Sequence, residues 1–125
     1  VKGSVEVYPE YLEALHTIDT FSHIMLFYIF DRAGEVILSR PTFLDPKPRG
    51  VFASRHPCRP NSIGMSIVKL DGVVGNTLEV SGIDILDETP LIDIKPYVAR
   101  FDLRTDANSG WAEGLEIVEK TKNRE

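Results

Sequence analysis

Two segments of this chain carry the residue types that chemistry needs. The first, Arg49 to Gly64 (RGVFASRHPCRPNSIG), holds three arginines, one histidine, two X-Pro bonds and one asparagine, with no acidic residue. Each proline fixes φ and removes a backbone donor, so the loop is stiff. A stiff loop with several guanidinium groups reads as a site for something anionic or planar. The second segment, Gly82 to Tyr97 (GIDILDETPLIDIKPY), supplies the opposite charge. It places Asp84, Asp87, Glu88 and Asp93 around Pro90, followed by Lys95 and Tyr97. The function is expected between these two segments.

The charge distribution supports a specific partner. From Arg40 to Lys69 six basic residues face the single Asp45, a local charge of +5 in a chain of net −5, so the remainder carries −10. A basic patch on an acidic body suits a defined anionic partner better than indiscriminate nucleic-acid binding, although a solvated loop face has the same composition. Cys58 is the only cysteine, which excludes an internal disulfide and fits a reducing, cytoplasmic setting. The longest apolar run, Ile24 to Phe30, is far short of the roughly 20 residues of a membrane span. The chain opens at Val1 without Met, so some natural N-terminal sequence is expected to be missing.

These segments need elements to position them, and the length fits one domain, 1–125. Ser4 to Tyr8 alternates as a strand, and His23 to Phe30 (HIMLFYIF) reads as a central one. Ile63 to Leu70 sets Ile63, Met65 and Ile67, with Val68 or Leu70, against Gly64, Ser66 and Lys69. Thr77 to Val80 and Leu91 to Ile94 are shorter strands, and Asp71 to Asn76 predicts a hairpin with an irregular connection. Two helices are expected: Pro9 to Leu15, and Ser109 to Lys120 with Ser109 as N-cap and Trp111, Leu115 and Val118 on one face. Gly114 interrupts the second. Many short strands with Gly/Pro turns predict an all-β (mainly β) barrel or curved sheet with short helical attachments. No G-x-G-x-x-G turn, P-loop, nucleophile elbow or metal-ligand spacing is present, so a non-Rossmann fold without metal is expected.

The two segments, GVFASRHPCRPNSIGMSIVKL and GIDILDETPLIDIKPY, resemble the TsaA/TrmO (YaeB-like) family, whose pattern runs approximately G-V-F-A-T-R-S-P-x-R-P-N-P-I-G-L-S, then D-L-L-D-G-T-P-V-x-D-I-K-P-Y. Tyr11 to Leu15 and Phe21-Ser22-His23 are similar to its Y-x-x-G-L and F-S-H elements. The resemblance covers most of the chain. It implies a small β-barrel-like, homodimeric methyltransferase that binds S-adenosyl-L-methionine near the subunit interface. The activity implied is methylation of N6 of the threonylcarbamoyl-adenosine next to a tRNA anticodon.

Carried over residue by residue, the resemblance implies cofactor contacts from Asp31, Arg32, Arg55, Met65, Ile85, Leu86, Asp87 and Glu88. Arg55 suits the methionyl carboxylate or anionic RNA. Met65 offers a soft contact to adenine or sulfonium, or else packs in the core. Asp87 accepts from ribose hydroxyls or the cofactor ammonium, or else caps its turn. Arg59 and Asn61 are substrate-facing candidates that also shape the loop, and Lys95 and Tyr97 share a strand face with Asp93. An Asp93–Lys95 ion pair is the plain alternative for that face. His23 reads as a satisfied histidine. N6 of the modified adenosine nucleophilically needs its proton removed, and Asp87 or Asp93 is the candidate base.

Four positions depart from the family pattern. His56 replaces Ser, Ser62 replaces Pro, Asp31 replaces His, and Glu88 replaces a Gly whose position permits φ > 0 or close ligand approach. Tyr11 to Leu15 also lacks the family's Gly. The family's opening strand and a short Pro/Gln cofactor loop are expected upstream of Val1, and longer members carry a further C-terminal domain. The departures keep two other classes open: a non-catalytic paralogue binding S-adenosyl-L-methionine or another nucleotide-like ligand, and an RNA-binding β module.

Overall fold

The computed structural model describes residues 1–42, 44–83 and 88–115. Regular structure among them is mostly strand: β1 (Lys2–Glu6), β2 (His23–Ile29), β3 (Ser39–Pro41), β4 (Pro48–Gly50), β5 (Ile63–Val74), β6 (Thr77–Ser81) and β7 (Leu91–Pro96). One short helix, α1 (Ala99–Asp102), follows β7. The mainly-β class expected from the sequence is met. Five strands form one sheet in the order β1-β6-β5-β2-β7, and β3 pairs with β4 alone. β1 and β7 are the sheet's two edges, so no closed barrel is seen among the described residues.

The chain forms two compact units, each built from three separate stretches. The first comprises Val1–Phe27, Met65–Ile83 and Leu91–Leu103, and the second comprises Tyr28–Gly64, Asp84–Pro90 and Arg104–Glu125.

In the first unit, apolar alternation builds the core. Ile24 and Leu26 of β2, Val68 of β5, and Leu78 and Val80 of β6 are fully buried. β2 lies between β5 and β7, with Ile24, Leu26 and Tyr28 buried on one face and the alternate residues half-buried on the other. β1 runs antiparallel to β6, from Lys2↔Ser81 to Glu6↔Thr77. The β5–β6 hairpin closes through a two-residue turn, Gly75-Asn76, with Gly75 at φ +61°. Asn76 Nδ2 donates to Val7 O (2.6 Å), and Val7 N donates to Asn76 O (2.9 Å), fastening the end of β1 to that turn. The irregularity expected in the connection lies within β5 instead. The register shifts between Leu70 and Gly72, leaving Asp71 over to accept from Ser81 Oγ.

The phase of β5 departs from the sequence expectation at Ile63 to Ile67, while Val68 is buried as that expectation allowed. Gly64 and Val68 are buried, whereas Ile63, Met65 and Ile67 are 45%, 42% and 46% exposed. Gly64 decides the phase locally. A Cβ there would run into the rings of Tyr28 and Phe30, 2.7 Å from Phe30 Cζ, and these rings already pack edge to face at 5.4 Å. Core packing is therefore not what Met65 does.

The helical expectations resolve into tight turns. Pro9–Leu15 is a 3₁₀ helix without a side-chain cap or a buried residue. Of the expected Ser109–Lys120 helix, only a 3₁₀ turn at Gly110–Ala112 forms among the described residues, and Gly114 follows at φ +80°. Val118 and Lys120 lie outside the described residues. α1 was not foreseen: Asp102 Oδ2 accepts from Val98 N (2.8 Å) and fastens its first turn.

Candidate functional site

The basic loop belongs to the second unit, and its three arginines have three different environments. Arg49 sits on β4, paired in register with Arg40 of β3. Its Nη2 makes an ion pair with Asp45 Oδ2, and its guanidinium lies 5.1 Å from the centre of the Trp111 ring. Hydrogen bonding from Arg49, with a further bond from Lys47 N, holds the Asp45 carboxyl below its ordinary value of 3.8. Arg49 is thus a framework residue.

Arg59 is the loop's internal strut. Its Nη1 donates to Ser54 O (2.8 Å) and His56 O (3.2 Å). A guanidinium meets two carbonyls at once because its donors are rigidly forked. Of the two roles open to Arg59, substrate-facing and loop-shaping, its Nη1 serves the second.

Arg55 is different. It is exposed, and among the described residues it makes no hydrogen bond or ion pair. A single 3₁₀ turn, Val51–Ala53, presents it. Val51 is buried, with its N–H bonded to Leu38 O (2.8 Å), and Ser54 N closes the turn onto Val51 O (3.2 Å). Phe52, in the same turn, is 81% exposed. Asn61 and Pro60 are also exposed.

Two departures from the family pattern have local work. His56 Nδ1 accepts from Cys58 N (3.2 Å), spanning the X-Pro step that lacks a donor of its own. Ser62 Oγ donates toward Pro57 O and Arg59 O (3.2 Å each). Cys58 is buried, and Sγ donates to Ile37 O (3.4 Å).

The rest of the second unit holds the remaining cofactor candidates. Asp31 and Arg32 form a turn after β2, with Asp31 N on Ile29 O (2.9 Å) and a loose, half-exposed contact of 3.6 Å between their side chains. Ile85, Leu86 and Asp87 lie outside the described residues, as does Asp84. Glu88 is described: it is exposed and adopts φ +63°. The backbone thus keeps the left-handed conformation that a glycine would take without strain, with a glutamate in it.

In the first unit, Asp93, Lys95 and Tyr97 belong to β7 and its end. Tyr97 N donates to His23 O (3.1 Å), and the two rings meet edge to face at 6.5 Å. Ser22 Oγ lies 2.8 Å from His23 Nδ1. Lys95 Nζ stands 5.8 Å from the Phe27 ring centre, and Asp93 Oδ1 accepts from Ile94 N (2.8 Å). The Asp93–Lys95 ion pair considered from sequence is not formed among the described residues. Met65 and Ile67 are exposed on the same unit. Among the described residues no three His, Cys, Asp or Glu side chains could jointly hold a metal ion, and no helix is long and apolar enough to cross a membrane.

Comparison with known proteins bears on this arrangement. Residues 1–103 match the family model of the tRNA-methyltransferase O N-terminal domain. A Pyrococcus abyssi protein, named a probable S-adenosyl-L-methionine-binding protein, is 49% identical over 98% of this chain and 67% of its own length. The human tRNA (adenine(37)-N6)-methyltransferase is 38% identical over 71% of this chain and 21% of its own. A crystal structure of TrmO superposes with a TM-score of 0.76 at 41% identity, covering 88% of this chain and 50% of that one. The chain thus spans half of the solved TrmO chain and about a fifth of the human enzyme. With the basic loop and the strand order both on the matched stretch, the chain belongs to the family of the tRNA-methyltransferase O N-terminal domain.

Proposed function

We propose that this chain binds S-adenosyl-L-methionine and methylates N6 of an adenosine in tRNA, the substrate being the threonylcarbamoyl-adenosine next to the anticodon. The observation that carries the reading is Arg55, an exposed cation without a partner among the described residues, on a loop whose other two arginines are engaged. A guanidinium held out by a stiff loop fits a carboxylate such as that of the methionyl moiety. Asp31 and Arg32, and the segment Ile85 to Glu88, are the proposed further contacts.

When bound, the cofactor supplies an electrophilic methyl on a sulfonium. The chain's share is to hold the reacting atoms in line, exclude water and take the N6 proton. Asp87 or Asp93 is the proposed base. Lys95 and Tyr97 are proposed to meet RNA, as a cation and a ring that stacks or hydrogen-bonds. Met65 is proposed as a soft apolar ligand contact, and exposed Met65 and Ile67 also suit coverage by a second copy, supporting a homodimer. A cytoplasmic setting follows from the tRNA substrate.

The test is transfer of labelled methyl from S-adenosyl-L-methionine to tRNA with and without the threonylcarbamoyl group, alongside calorimetry. Label confined to modified tRNA is the expected result. Binding without label in any tRNA would instead favour the non-catalytic reading, which the charged Glu88 in the family's glycine position supports. Absence of cofactor binding would leave only the RNA-binding module.

A further inference from the structure

We infer that Trp111 is a positioning residue for Arg55, acting as a clamp on the 3₁₀ turn that presents it. This rests on the reading of Arg55 given above. Trp111 lies beyond residues 1–103 that match the family model, in a stretch read from sequence only as one face of a helix. It belongs to the second unit, as does the whole basic loop. Its Nε1–H donates to Ala53 O (2.6 Å), the last residue of the 3₁₀ turn and two residues before Arg55. Its ring carries the guanidinium of Arg49, two residues before that turn begins. One side chain therefore grips the turn at both ends.

The grip at Arg49 has a cost that argues for a purpose. Among the described residues Arg49 Nε is buried with no hydrogen-bond partner, while Asp45 and the indole face hold the rest of the guanidinium. The Trp111 turn is itself tied. Gly110 at φ +57° precedes the indole, Gly110 N donates to Asn108 Oδ1 (2.9 Å), and Ser109 N donates to Glu113 Oε1 (2.7 Å). Ser54 and His56 flank Arg55, and both carbonyls are bonded by Arg59, so the clamp and the strut together fix the backbone on either side of it.

The test is a double-mutant cycle read by calorimetry with S-adenosyl-L-methionine, together with amide hydrogen exchange at Ser54, His56 and Cys58. Trp111→Ala removes both contacts, and Trp111→Phe keeps a ring for Arg49 but loses the donor to Ala53. Trp111→Ala should weaken cofactor binding about tenfold and speed exchange at Ser54 and His56, with Trp111→Phe intermediate. On an Arg55→Ala background, Trp111→Ala should cost less than about twofold. Equal weakening in both backgrounds, or unchanged affinity and exchange, overturns the inference. If Arg55→Ala alone leaves affinity intact, the reading of Arg55 fails, and exchange by itself decides the clamp. If Trp111→Ala does not fold, Trp111→Phe carries the same comparison.

Discussion

The sheet of the first unit and the basic loop of the second are built on different physics. The sheet is specified chiefly by periodicity: Ile24, Leu26, Val68, Leu78 and Val80 are buried by alternation. The loop is specified residue by residue. Arg59 on two carbonyls, His56 on Cys58 N, Ser62 on Pro57 and Arg59, and Trp111 on Ala53 each settle a local bend. Apolar burial is roughly additive in area and tolerant of exchange, whereas a hydrogen-bonded strut fails when one donor is lost. The sheet should therefore answer to global stability, and the loop to ligand affinity and local opening.

The largest expected effect lies in the sheet. Leu26→Ala should cost about 3 kcal/mol of unfolding free energy, because a fully buried leucine leaves a cavity. Denaturant unfolding measures it, and a loss below about 1 kcal/mol would mean that the core at β2 is not the one described. Gly64→Ala should cost about 2 kcal/mol, since the rings of Tyr28 and Phe30 must shift.

In the loop, the two arginines should separate. Arg59→Ala should cost about 1–2 kcal/mol and speed amide exchange across Ser54 to Cys58, for it strips donors from two carbonyls. Arg55→Ala should move stability by no more than about 0.5 kcal/mol while weakening S-adenosyl-L-methionine binding. Equal effects of both substitutions on stability would erase the distinction between strut and ligand arm. Glu88→Gly should stabilise by about 1 kcal/mol through relief of the left-handed backbone, visible as a raised melting temperature.

The smallest effect concerns pH. Asp45 has a folded value held below the ordinary 3.8, so its pairing with Arg49 contributes stability that is present above that value and lost as pH falls through the folded one. NMR titration should find the Asp45 carboxyl shifted down in the native chain and less so in Arg49→Met, which keeps the bond from Lys47 N.

Legibility from sequence followed the same division. HIMLFYIF announced a central strand because both its faces are apolar, and β2 occupies that place. β5 was legible as a strand but not in phase. Both sets of alternating positions hold apolar residues, and the deciding contact, Gly64 under Tyr28 and Phe30, joins residues far apart in the chain. The motif around Arg55 was readable by resemblance, but nothing in the spacing of three arginines says which one is free. That depends on Asp45, Trp111 and two backbone carbonyls. The Ser109–Lys120 pattern looks helical from Trp111, Leu115 and Val118, yet Gly110 and Gly114 at positive φ limit it to a single 3₁₀ turn among the described residues.

The fastening of Val7 by Asn76 also bears on how the protein ages. Asparagine side chains hydrolyse slowly to aspartate, and here that would exchange a donor facing Val7 O for a carboxylate facing the same oxygen. Two acceptors would then repel where β1 is tied to the hairpin, and the five-residue strand would fray from its attached end. Freed of β1, the outer rim of β6 would display unpaired amides and carbonyls to any other extended chain. That one change in a hairpin turn would thus move the sheet's edge inward from β1 to β6.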